Sequence, residues 1–181
     1  MTSNPNPASA APAGASAAPG GLATVAQVEE LADQLSACAD SIHERVMREI
    51  KSFKGGPVPA ARQDAARALL DDEVVLRQRA NGLYADAATY IVRSLGKPQA
   101  HVLGLTKDAG EKIAKITHIG DAVSLVARLL GIAAAVATGQ PAPILLSLEY
   151  LKHQLDLMAL EEAALHPAPA SAPASPAAPA A

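Results

Sequence analysis

The chain has 181 residues, 15 basic and 18 acidic, a formal net charge of −3 and a single cysteine. That length supports one domain. The signs are mixed with no basic stripe, which leaves nucleic-acid binding without an electrostatic footprint, and one cysteine excludes an intrachain disulfide and a Cys-rich zinc site.

Aromatic residues are scarce, with one Phe, three Tyr and no Trp. A core must therefore be built from Leu, Ile, Val and Ala, a composition that favours helix over sheet. Residues 1–23 are dominated by Ala, Pro, Gly, Ser and Asn, and no charged side chain precedes Glu29. The stretch from Pro167 to Ala181 holds only Pro, Ala and Ser. Neither end has large apolar groups whose burial would repay ordering entropy. The composition predicts disordered tails over 1–23 and 167–181, extended and soluble enough to act as spacers, around a helical domain over 24–166. No positive stretch followed by an apolar core opens the chain, so no conventional signal peptide is expected. A cytoplasmic location, with peripheral membrane association as the variant, is the expectation.

Between the tails, proline occurs only at Pro57, Pro59, Pro98, Pro141 and Pro143. Proline breaks helices, and these positions mark off four helical segments. The first runs from about Val25 to Phe53, opened by a capping box at Thr24-x-x-Gln27 and closed by Gly55-Gly56-Pro57. Its apolar stripe is Val28, Leu31, Leu35, Cys38, Ile42, Val46, Ile50 and Phe53. The second runs from about Ala60 to Leu95, striped by Leu69, Leu76, Leu83, Ala87 and Ile91, with a turn-favouring Asn81-Gly82 pair at its middle. The third starts at Gln99, or at Lys107 with Asp108-x-x-Glu111 as its cap, and ends at Thr138. It carries Ile113, Ile116, Ile119, Val123, Val126, Leu130 and Ile132. The fourth runs from about Ala142 to Leu165. Short connections between long helices predict an all-α, elongated antiparallel bundle of about four helices.

The fourth segment is apolar on two sides. Ile144, Leu148, Leu151, Leu155 and Met158 form one face; Leu146, Tyr150, Leu157 and Leu160 form a second, nearly opposite face at 100° per residue. Such a helix needs two apolar neighbourhoods. On the third segment Ala127, Gly131, Ala135 and Gly139 recur every four residues as a strip of small side chains, a pattern that lets helix backbones approach closely. The strip reads either as a tight contact with the fourth helix or as the tip of a hairpin, Ile119–Leu151, that enters a membrane or an apolar interface. Arg128 is the only charge from Ala122 to Leu148. It and Asp121 oppose a true membrane span. Antiparallel pairing about Gln140 places Arg128 near Glu149 and Asp156, an ion pair that would lock the register.

Chemistry is not signalled. His43, His101, His118, His153 and His166 fit no Glu-x-x-His or His-Glu-x-x-His pattern, and no metal site or cofactor is expected. Cys38 on an apolar stripe behaves as a small hydrophobe. Phosphate-binding loops and nucleophile elbows are absent. The favoured reading is a non-enzymatic helical scaffold or interaction protein, packing against itself or another helical protein. The alternative is an amphipathic protein that binds a lipid or polymer surface through the 119–151 hairpin. In size range, helix content and Ala/Pro-rich tail the chain is similar to phasins, the helical coat proteins of bacterial storage granules. That likeness is one of composition and carries no motif that transfers to particular residues.

Overall fold

The computed structural model describes residues 20–93 and 95–165. Both predicted tails, apart from residues 20–23, lie outside the described residues, as does His166. Among the described residues the fold is all-helical, with five helices: α1 (Val25–Ser52), α2 (Ala60–Ala85), α3 (Gln99–Lys115), α4 (Ile119–Val136) and α5 (Pro141–Leu165). α1 packs against α2 and α3, α4 packs against α2 and α5, and α3 also meets α5.

α1 begins as a capped helix. The Thr24 hydroxyl oxygen accepts from the Gln27 amide at 3.3 Å, and Gln27 Oε1 accepts from the Ala23 amide at 2.8 Å. The reciprocal pair thus reaches one residue further back than the usual capping box. At the other end Lys54 and Gly55 adopt positive φ (47° and 80°), the left-handed turn that ends many helices and that glycine adopts at little cost. Val28, Leu31, Leu35, Cys38, Ile42 and Val46 are all buried as one stripe. Cys38 packs against α3 at Gly110, where a Cβ would sit 2.9 Å from its Sγ.

The expected count of about four helices is corrected in two places. The second helix stops at Ala85, ten residues before Leu95. It passes unbroken through Asn81-Gly82, and the Asp86 amide bonds back to the Gly82 carbonyl. The chain then turns and lies beside the N-terminal segment. The Val92 amide donates to the Leu22 carbonyl, the Gly21 amide to the Lys97 carbonyl, and the Leu22 amide to Gln99 Oε1. Leu22, Ala87, Val92 and Leu95 are buried by this crossing. The packed chain therefore reaches back to Gly20, into a stretch whose composition reads as tail.

The third predicted helix is two. α3 starts at Gln99, so the later cap at Asp108 is not used, and the helix ends at Lys115. α4 starts at Ile119. The break is held by a side chain from α1. Arg45, only 4% exposed, donates from Nε to the Ile116 carbonyl and from Nη2 to the Thr117 carbonyl, both at 2.7 Å. Carbonyls at a helix end need partners, and this guanidinium supplies them from another element.

Candidate interaction surface

α5 starts cleanly because of the turn before it. Gly139 adopts φ 66°, and its amide bonds the Val136 carbonyl, closing α4. Pro141 takes the first helical position, where its missing N–H costs nothing. The helix then runs to Leu165, built largely of Leu, Ala, Glu and Lys, all strong helix formers.

One side of α5 enters the core: Ile144, Leu148 and Leu151 are buried, and Leu155 and Met158 pack partly against them. The opposite side is open. Leu146 is 49% exposed, Tyr150 50%, Leu157 42% and Leu160 68%. His153 lies in the same row and is exposed. The row runs 146, 150, 153, 157, 160, alternating steps of four and three. That is the seam spacing by which one helix lies along another.

The strip of small residues is not a continuous contact face. Ala127 is exposed, Gly131 is half-buried and Ala135 is buried. A Cβ added to Gly131 would touch nothing outside its own helix within 4 Å. α5 meets α4 there through a hydrogen bond instead, from Ser147 Oγ to the Gly131 carbonyl at 3.4 Å. Gly139 serves the turn, and the nearest atom to a Cβ there is the Thr89 carbonyl oxygen at 4.0 Å.

The expected pairing of Arg128 with Glu149 or Asp156 is corrected. The Arg128 guanidinium lies over the Tyr150 ring, 5.4 Å from its centroid, a cation–π contact at the edge of the open row. Asp156 pairs with Lys152 on its own helix at 2.5 Å. No ion pair joins Arg128 to either carboxylate among the described residues. An aromatic ring one residue from Glu149 offered the cation a partner that charge counting did not consider.

α4 is long and apolar enough to cross a membrane by length and composition, but half of it is buried within the fold. Ile132 and Ile144, large apolar residues of the 119–151 hairpin, are both fully buried. Most large apolar side chains of the hairpin are buried in the core, while Leu146 and Tyr150 stand exposed.

Elsewhere the interior charges have structural partners. Glu49, 6% exposed, accepts from Arg45 Nη1 at 3.0 Å and from Arg62. Burial pushes the Glu49 carboxyl up, but hydrogen bonds from Arg62 and Arg45, with their charges, outweigh it and hold the group below its ordinary value. Glu73 accepts from Arg77, and His43 Nδ1 lies 3.1 Å from it. No group of three or more His, Cys, Asp or Glu is placed to hold a metal ion among the described residues. Burial pushes the Cys38 thiol up to about 12, and its Sγ donates to the Thr106 carbonyl, so at neutral pH it is not a thiolate nucleophile.

The Arg45–Glu49–Arg62 cluster was missed in the sequence, although a signal was there. Residues 42, 46, 49 and 53 share one helix face, so Glu49 interrupts the apolar stripe just where Ile50 was assigned to it. Ile50 is in fact half exposed. No protein-family model, curated protein or solved structure matches the chain.

Proposed function

We propose that the protein is a non-enzymatic helical interaction protein that works by helix packing, with the outer row of α5 as its docking seam. The observation that carries this is one helix with two apolar sides, of which the fold covers one. Leu146, Tyr150, Leu157 and Leu160, with His153 between them, form an exposed row, and exposed apolar patches rimmed by polar residues mark interaction sites. With the helices antiparallel, as short connections favour, the row lies along an edge of an elongated bundle and is open to a second helix. That second helix comes from another copy of the chain or from a different helical protein.

The surface-binding alternative is less well supported. It relied on the 119–151 hairpin, most of whose large apolar side chains are buried, Leu146 and Tyr150 being exposed. Light scattering coupled to size exclusion, with and without anionic vesicles, separates the two. A defined oligomer that ignores vesicles, and that Leu146→Glu and Leu157→Glu each reduce to a smaller species with unchanged helix content, is the expected result. An oligomer indifferent to both substitutions rejects the α5 row as the seam. A monomer that co-elutes with vesicles reverses the order of the two readings.

A further inference from the structure

At the far end of α1 the chain builds a cleft that the packing function does not use. Its volume is about 240 Å3. Ile50 of α1 and Phe53, the residue that caps its end, form one wall, Ala66 and Leu70 of α2 the other, and Val58 of the connecting loop closes one side. The lining is overwhelmingly apolar. The cleft exists because the stripe of α1 turns here: Glu49 points inward, so Ile50 is left facing outward beside Phe53. Phe53 is the only phenylalanine in the sequence.

The polar groups at this cleft are biased to one sign. Its one acid, Glu49, is already shared by two guanidiniums, Arg45 and Arg62. Two cations against one anion leave the buried cluster with an excess positive charge beside an apolar surface. Arg62 carries that excess to the rim, where its side chain is 41% exposed. Arg67, also on the rim, is 75% exposed and pairs with Asp64 at 4.0 Å. That exposed pair lies at the outer limit of an ion-pair contact and contributes little. Arginine presents a fork of donors suited to a carboxylate.

Size narrows the ligand. An apolar cavity of about 150 Å3 suffices for benzene, and pockets for drug-sized molecules begin at about 300 Å3. The geometry points to a binding site for a small amphiphilic anion, one short acyl chain or single ring carrying one carboxylate, with the chain between Phe53, Ala66 and Leu70 and the carboxylate at Arg67 and Arg62. Apolar burial supplies the affinity and the guanidinium fork supplies the preference for an anion. The site is independent of the α5 row, so its failure leaves the packing function untouched.

The single Phe53 ring provides an unambiguous NMR reporter in the full chain, with octanoate as the probe and 1-octanol as its uncharged control. The expected result is a saturable shift of the Phe53 ring signals with octanoate, and a response to 1-octanol roughly tenfold weaker, the loss of one charge-assisted hydrogen bond. Ala66→Trp, which fills the cleft, abolishes the octanoate response. Arg67→Glu on the exposed rim weakens octanoate but not 1-octanol, and it decides the question by itself if the tryptophan variant fails to fold. Phe53 signals that do not move, equal responses to the two probes, an unchanged octanoate response in a folded Ala66→Trp, or indifference to Arg67→Glu each overturn the assignment.

Discussion

α4 and α5 are neighbours joined by the short turn at 137–140, and both are rich in leucine and alanine, yet they use their apolar side chains differently. α4 meets α1, α2, α3 and α5, and it buries Leu125, Val126, Leu129 and Ile132. Among the described residues α5 meets only α3 and α4, and it leaves Leu146, Tyr150, Leu157 and Leu160 between 42% and 68% exposed. The difference follows position in the fold, although α5 also carries more charge, Glu149, Lys152, Asp156, Glu161 and Glu162 against Asp121 and Arg128 on α4. A helix with neighbours on several sides satisfies all its apolar faces within the chain. A helix at the edge satisfies one and presents the other.

Charge sharpens the same contrast and has the largest expected effect. Glu49→Ala leaves the buried Arg45 without its anion and should cost about 3–5 kcal/mol in urea denaturation. Lys152→Ala, which breaks an exposed pair on α5, should cost less than about 1 kcal/mol. Comparable losses from the two substitutions would show that the Arg45–Glu49–Arg62 cluster does not hold α1, α2 and the α3–α4 junction together. The apolar version comes next. Leu129→Ala on α4 should cost about 2–5 kcal/mol by cavity formation, whereas Leu157→Ala on α5 should stay within about 0.5 kcal/mol in the isolated protomer. A large loss at Leu157 that grows with protein concentration would mean that the stability measured is that of an assembly.

The smallest effect is on pH. Glu49 titrates lower in the folded chain than in the unfolded one, because Arg62 and Arg45 outweigh its burial. Its contribution to stability is therefore fully present above the unfolded value, about 4.3, and is lost as the pH falls through the folded value. Glu49→Gln should show a shallower loss of stability between neutral pH and pH 3 than the parent chain, measured by urea midpoints at each pH. Parallel pH profiles would remove Glu49 from the acid sensitivity of the fold.

Several parts of this architecture were legible because they depend on local rules. The start of α1 was readable from Thr24 and Gln27, and its stop from Gly55. The two-sided character of α5 followed from 100° spacing alone. The second helix was read too long because Ala87, Ile91 and Leu95 continue an apolar spacing. Nothing local announces that Val92 hydrogen-bonds Leu22, a partner 70 residues away in sequence. The ring that holds Arg128 was equally invisible, since a count of charges offers no ring as a partner.

Local pattern in the sequence was enough to show that the chain is helical, where α1, α2 and α5 begin to within a residue, and that α5 is apolar on two sides. Propensity, proline and periodicity act over a few residues and need no tertiary context. Tertiary structure alone decided that α3 and α4 are separate helices, because the guanidinium that satisfies the carbonyls of Ile116 and Thr117 comes from α1. It also decided which apolar faces are covered, because burial depends on how many neighbours a helix has, and a linear pattern does not encode that number. Arg45 shows the division most plainly. In the sequence it is one more charge on a long helix, and in the fold it is a buried side chain whose hydrogen bonds join α1 to the α3–α4 junction.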